Sequence, residues 1–432
     1  MKNYLNSNIL AFSLGIISSL YVSTPVGFVA MLDMLSYIVG PILLLTNFSK
    51  YTKQFRTLLL LLMLWIVNAI ISDAWRGTPL AAAFKAEMIL VNSLTLLVMG
   101  EWLCRKTPYA LPLFLSGAAI SAVISLYYFQ NGALLVQAVI RGFGTGSASM
   151  TEFLSEKQVK PLYASCIFMT IIMGAQYFKL IPWFLCIIAT FSIGVYMLMS
   201  GGARSVFLIY AGTAFIMFLY VHSPKTLRWM FDHKSRTIFL VCVAAVLMNG
   251  LYTIVAKNGL LGEEGYRHYE DKVAGEISFL DDRADLLINW PFLWRSPFVG
   301  AGSEFRDQWG YVNQSKYVVH EIAGHYIDYQ TFWGHSCIVG AWTANGLFGL
   351  VFWLYVLYLI FDFIGKKVFV LGDLGPFVIF GMVSLCWAIL FSPYGGFRGK
   401  AMFCAAFVAL SKDVRFVSWM EYALKTQFRR GL

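Results

Sequence analysis

The sequence predicts an all-α polytopic membrane protein of about 12 transmembrane helices, with one large loop outside the membrane containing short helices. Three observations predict it. The 432 residues are 59% hydrophobic and only 13% charged, against roughly 25% charged for a soluble domain. Mean hydropathy is +0.67. Apolar runs of about 20 residues recur along the whole length, as spans of a hydrocarbon core roughly 30 Å thick require. The short alternating segments of a membrane β-barrel are absent from the sequence.

Taken in order, the predicted spans lie near 8–22, 28–48, 57–75, 84–102, 110–129, 161–178, 180–199, 204–222, 237–256, 336–363, 375–393 and 401–411. The organisation is nine spans in 1–256, a long polar segment at 257–334, three spans in 335–411 and a basic tail at 412–432. The start of the chain reads as the first span rather than a cleaved leader, since its charged region is Lys2 alone and no small-residue cleavage site follows. The seven cysteines all lie in or beside apolar spans. They show neither metal-ligand spacing nor a disulfide framework.

Charge sets the expected orientation. With both termini cytoplasmic, that side carries 18 basic residues and the short opposite loops carry eight, the other seven of 33 lying in the long segment. This is the positive-inside bias. It accounts for most of the net charge of +10, which therefore does not point to nucleic acid. Segment 257–334 then lies outside the cytoplasm. Its 78 residues include Trp290, Trp294, Trp309 and many tyrosines. A connection of that size carries structure or function of its own, and the expectation is short helices lying on the membrane, one at roughly 281–295.

Three places carry ionisable groups at the outer boundary. His335 ends the polar segment, and the next 28 residues, Ser336 to Phe363, hold one charge, Asp362. On a continuous helix, eleven residues bring Gly346 onto the face of His335, with Gly349 close by. Glycines three apart let a helix or a lipid chain approach, giving a groove with a titratable base at its mouth. An imidazole suits general-base work near neutral pH. A histidine hydrogen-bonded at the headgroup level accounts for the same position.

Arg204 follows Ser200-Gly201-Gly202-Ala203 and opens a new span with Ser205. The unpaired N–H groups of a helix start, an arginine and a hydroxyl can cradle a phosphate, while an arginine snorkelling to the interface explains the same placement. Arg283 sits in Asp281-Asp282-Arg283-Ala284-Asp285, before Pro297-Phe298-Val299-Gly300-Ala301-Gly302. By composition it reads as a salt-bridged surface arginine. The long segment holds 12 acidic and seven basic residues, so an anion site there must be built from a few placed arginines. Tyr394-Gly395-Gly396-Phe397-Arg398-Gly399-Lys400 reads as a basic, outward loop able to touch a headgroup. His320, His325 and Asp328 lack a convincing zinc spacing. No nucleotide-binding loop or nucleophile motif is present.

Taken together, these elements resemble the O-antigen ligase (WaaL) family. That family's pattern of His, then Asn, Ser or Gln, nine residues, Gly, two residues, and Gly, Thr or Tyr is met by His335, Ser336, Gly346 and Gly349. The Ser-Gly-Gly-Ala-Arg-Ser stretch is similar to its segment with an essential arginine, here Arg204. Arg283, followed by tryptophan and Pro-x-x-Gly-x-Gly, is similar to its second arginine. The resemblance covers essentially the whole chain and rests on order and layout more than on any one motif.

It implies a GT-C-like integral membrane glycosyltransferase needing no metal, ATP or other cofactor. The donor would be a glycan on undecaprenyl diphosphate and the acceptor a sugar hydroxyl of lipid A–core, at the periplasmic face of a bacterial inner membrane. His335 would be the general base, and Arg204 and Arg283 would stabilise the diphosphate. Ser205, Ser336, Gly346, Gly349, Arg398 and Lys400 would line the substrate site. An O-antigen polymerase would use the same donor with a second lipid-linked glycan as acceptor. A protein-targeted oligosaccharyltransferase would need a protein hydroxyl. A lipid-linked sugar transporter would call for ionisable groups deep in several spans and an inverted repeat.

Overall fold

The computed structural model describes residues 2–18, 20–24, 27–130, 164, 167–201, 204–233, 254–255, 257–259, 284–303, 336–391 and 398–429. Helix α1 (Lys2–Ile17) is followed by a hairpin of β1 (Tyr21–Thr24) and β2 (Gly27–Ala30). The strands are antiparallel, with Tyr21 opposite Ala30 and Thr24 opposite Gly27. The run Tyr21-Val22-Ser23-Thr24, β-branched and ending at Pro25, favours a strand and a turn over continued helix. The first span therefore stops at Ile17, short of the expected residue 22.

Helices α2 (Met31–Asn47), α3 (Lys53–Arg76), α4 (Leu80–Lys106) and α5 (Ala110–Gln130) follow with short connections. Thr52 caps α3, its side chain accepting from the Phe55 N–H, and Gly77 ends it with φ 64°. A glycine in the left-handed region closes a helix without the Cβ penalty. Helix α1 crosses α5 at Gly15 and Gly117, where a Cβ on Gly117 would lie 3.1 Å from the Gly15 Cα. Backbones can meet so closely only where both faces lack side chains.

The expected span 161–178 is not one α-helix over its described residues. A π-helical stretch, Ile167–Ile172, leads into the short α6 (Met173–Tyr177). Next come α7 (Trp183–Gly201) and α8 (Arg204–His222), separated by two residues, the sharp reversal that Gly201-Gly202 predicts. Proline 224 then starts α9 (Pro224–Asp232), which turns away from α8 by 119°.

Helix α10 (Ala284–Arg295) is the helix expected near 281–295. The remaining helices are α11 (Cys337–Asn345), α12 (Leu347–Lys366), α13 (Gly375–Phe391), α14 (Arg398–Leu410) and α15 (Val414–Arg429). The tail is thus helical over most of its length, with Phe416 and Met420 turned inward and Val414 and Tyr422 exposed.

Among the described residues, five helices are long and apolar enough to cross a membrane, or six if the bent α8–α9 pair counts as one. The chain is a helical membrane protein. The expected span 237–256 lies almost wholly outside the described residues. The centre of the bundle is α14. Every residue from Ala401 to Leu410 is at most 1% exposed, so this 13-residue helix faces protein and not lipid. Its alanines let α4 come close, with Gly100 set against Phe403 and Ala406, and Phe403 stacks on Phe114 at 3.9 Å. Burying one such aromatic stabilises the fold by about 2–3 kcal/mol.

The antiparallel neighbours α3 and α12, and α8 and α13, define two ends, and α2 runs parallel to α4, with Ser36 beside Thr95 and Lys50 beside Arg105. One end holds Gly77, the start of α11, the end of α13 and the start of α14. The other holds Glu101, which pairs with Arg105 at 2.5 Å, and Asp362, which pairs with Lys366 at 3.4 Å and with Lys412.

Candidate functional site

The single helix expected from Ser336 to Phe363 is broken. Helix α11 ends at Asn345, and Gly346 sits at φ 75°, ψ −160°, a backbone conformation open essentially to glycine alone. Helix α12 starts afresh at Leu347. The shared helical face expected for His335, Gly346 and Gly349 is therefore corrected, because no continuous helix runs from Cys337 through Gly349. The expected glycine groove is filled by protein. A Cβ on Gly346 would overlap the Phe298 carbonyl, and one on Gly349 would lie 2.8 Å from the Ala341 Cβ and 3.0 Å from the Trp65 Nε1.

A helix break inside a membrane bundle strands backbone groups, and each one left unpaired costs about 1–3 kcal/mol. Here the turn after α10, the Pro297–Gly302 stretch of the motif, satisfies them. The N–H of Ala301 donates to the Thr343 carbonyl at 2.8 Å, that of Gly302 to the Ala344 carbonyl at 2.9 Å, and that of Leu347 to the Phe298 carbonyl at 3.2 Å. The Trp342 indole donates to the Pro297 carbonyl at 2.9 Å. Gly300 and Gly302 hold φ of 90° and 94°, which lets the turn lie flat against the break. Two motif segments more than forty residues apart in sequence thus form one backbone-bonded unit.

Helix α3 clamps this unit. Asn68, Ser72 and Arg76 lie one turn apart on one face. The Asn68 amide donates to the Asn345 carbonyl and, at 3.1 Å, to that of Phe298. The Ser72 hydroxyl donates to the Ala344 carbonyl at 3.1 Å. Arg76 donates to the Gly300 carbonyl at 3.1 Å and to the Ser296 hydroxyl at 2.7 Å. Asp73 accepts from the Ser303 N–H at 2.6 Å, the Ser303 hydroxyl at 2.7 Å and the Thr78 hydroxyl at 2.8 Å. Asn345 closes the circuit, accepting from the Trp65 indole at 3.1 Å and donating to Ser303 at 3.4 Å.

Ser336 is the N-cap of α11. Its hydroxyl accepts from the Val339 N–H and donates to the Ile389 carbonyl near the end of α13, both at 3.3 Å, and the residue is 4% exposed. It anchors the helix start and is not open to a substrate. The same end of α13 faces the start of α8. Gly212 meets Val383, and the Tyr220 hydroxyl donates to the Gly372 carbonyl at 2.8 Å. This antiparallel register carries α8 back to Arg204 level with Phe391, about 12 Å beyond Gly212. Arg204 and Ser205 open α8.

His335 and Arg283 lie outside the described residues, each one position before a described helix segment. The structure brings the turn after α10, the start of α11 and the start of α8 to one end of the bundle.

Arg398 and Lys400 are not in a loop, as their glycines suggested, but on the first turn of α14. Arg398 is paired with Asp33 of α2 at 3.0 Å. That pair sits beside a buried polar cluster in which Asn92 donates to the Ser36 hydroxyl at 2.8 Å and Ser36 meets Thr95 at 2.9 Å. Arg398 thus tethers two helices. Lys400 is half-buried.

Sequence reasoning missed Asn68, Ser72, Asp73, Ser303 and Asn345 and counted Arg76 only as a charge. A signal was present, since polar residues at 68, 72 and 76 fall on one face of an otherwise apolar span. Compared with known proteins, the chain matches no family model, and no curated protein is significantly similar to it.

Proposed function

We propose that this protein is a metal-independent glycosyltransferase of the O-antigen ligase kind. In this reading it moves a glycan from undecaprenyl diphosphate to a sugar hydroxyl of lipid A–core, at the periplasmic face of a bacterial inner membrane. The observation that carries the reading is the bonded unit of Pro297–Gly302 with the α11–α12 break. It ties the segment following Arg283 to the segment following His335, and α13 puts the start of α8, with Arg204, at the same end.

The chemistry follows from the residue types. The acceptor oxygen attacks the anomeric carbon as its proton passes to His335. The bond from that carbon to the diphosphate oxygen breaks, and the electron pair leaves with the lipid diphosphate. A single displacement inverts the anomeric centre. The developing negative charge calls for fixed cations and dipoles. Arg204, the N–H groups at the start of α8 and Arg283 supply them, guanidinium groups being suited to bidentate phosphate contacts. A positioned base contributes roughly 10²–10⁴-fold.

The test is to incubate purified protein with undecaprenyl-diphosphate glycan and lipid A–core, beside His335→Ala and Arg204→Ala. Glycan on lipid A–core, lost in His335→Ala while that variant still inserts and folds, supports the proposal. Longer glycan still on undecaprenyl diphosphate identifies a polymerase instead. Unaltered transfer by His335→Ala removes the histidine from the mechanism.

A further inference from the structure

The outer side of α10 and its turn is apolar and unusually open. Phe292 and Leu293 pack inward, whereas Trp290, Trp294 and Phe298 are 56%, 70% and 68% exposed. The two tryptophans lie one helical turn apart and meet edge to face, with centroids 5.6 Å apart. Leaving three aromatics in water forgoes several kcal/mol of burial, so their surroundings need a physical account.

The height of this surface follows from α3. That helix has 24 residues, so it is about 36 Å long, more than a hydrocarbon core of roughly 30 Å. Its flank is exposed and apolar at Leu60, Val67, Ile70 and Ile71, and the strip ends in Trp75, which is 75% exposed. Lys53 and Arg56 stand at one end of α3 and Arg76 at the other. A lipid-facing flank with cations at both ends sets both ends at headgroup level. Arg76 holds the α10 turn through Ser296 and Gly300, which fixes α10 at that same level. Arg295 follows Trp294 and lies within electrostatic reach of Arg76, so a second cation stands near that level.

We infer that α10 and its turn form a bilayer-docking surface, with Trp290, Trp294 and Phe298 seated among phospholipid headgroups. The occupant is the lipid headgroup layer, continuous with the lipid around α3. The inference does not depend on the proposed reaction.

The full chain, labelled with fluorotryptophan and held in phospholipid nanodiscs, tests it by fluorine NMR. Trp290→Phe and Trp294→Phe each remove one signal and so assign it, and either variant alone suffices if the other fails to accumulate. The expected result is loss of the assigned signals when a lipid spin-labelled near its headgroup is added, and their survival with a water-soluble paramagnetic chelate. Signals lost to the chelate and untouched by the lipid would place the surface in water and overturn the inference. Signals preserved under both would show it covered by protein and would equally overturn it.

Discussion

Replacing Gly346 with alanine should unfasten the candidate site without dismantling the bundle. Two costs combine. The φ of 75° with ψ −160° lies outside the conformations open to an L side chain, a strain of about 1–3 kcal/mol. The new Cβ would also overlap the Phe298 carbonyl and lie 2.5 Å from its carbon and 2.7 Å from that of Val299. These are backbone atoms and cannot rotate away, so the turn must retreat. In doing so it gives up the bonds from Leu347 and Asn68 to Phe298, at about 1 kcal/mol each. The total is about 3–5 kcal/mol, concentrated where the turn meets the break. Hydrogen exchange in nanodiscs reads this directly, as a rise of at least about a hundredfold at Ala301, Gly302 and Leu347 with α4 and α14 unchanged. Gly349→Ala is the comparison. It keeps helical backbone, so the conformational strain is absent and only the close contacts with the Ala341 Cβ at 2.8 Å and carbonyl oxygen at 2.9 Å remain, and its effect at Ala301 and Gly302 should be smaller. Native-like exchange at Ala301 and Gly302 in Gly346→Ala would refute the reasoning, because the turn would then not depend on the bare glycine.

Other outcomes follow from the same contacts. Asp73→Ala leaves two donors of Ser303 and one of Thr78 without a charged acceptor and should cost about 2–3 kcal/mol, with Asp73→Asn milder, measured by thermal unfolding in detergent. Arg398→Ala leaves the Asp33 carboxylate, 11% exposed, without its cation inside the bundle, a loss of about 3 kcal/mol. The double change Asp33→Asn with Arg398→Gln should recover part of that loss in the same assay. Ser336→Ala removes the cap of α11 at about 1 kcal/mol, visible as faster exchange at Val339. Arg204→Ala should raise the KM for the lipid-linked donor more than that for the acceptor, and an unchanged donor dependence would return Arg204 to an interfacial anchor.

Much of the helical layout was legible because membrane spans impose length and apolarity. Runs such as 57–75 and 84–102 announce α3 and α4, and the Gly-Gly reversal announces the α7–α8 turn. The break at Gly346 was not legible, since Trp342 to Phe352 carries no charge, with only Thr343 and Asn345 polar, and glycine is tolerated in membrane helices. What selects the break is the turn at Pro297–Gly302, a tertiary partner that local pattern does not reveal. Arg398 misled for the opposite reason. Its glycine-rich approach reads as a loop, yet Asp33, over three hundred residues earlier, draws it into the packed start of α14. The resemblance implies that Ser336 lines a substrate site, whereas an N-cap serine is recognisable only once the helix start is known. The α3 clamp stood in plain view as a polar stripe, overlooked because each residue taken alone is unremarkable.

The break between α11 and α12 also has a bearing on biosynthesis. A nine-residue helix is about 14 Å long and cannot cross a bilayer alone, so the emerging chain carries a flaw that lipid cannot mend. Chains are made from the N-terminus. Both α3 and the Pro297–Gly302 turn therefore leave the ribosome before Asn345 does. The ligand for the flaw is already waiting when the flaw appears. Moving the segment 284–303 behind α12 in a permuted gene would keep every native contact available, yet it would reverse this order and expose an unmated junction to the insertion machinery.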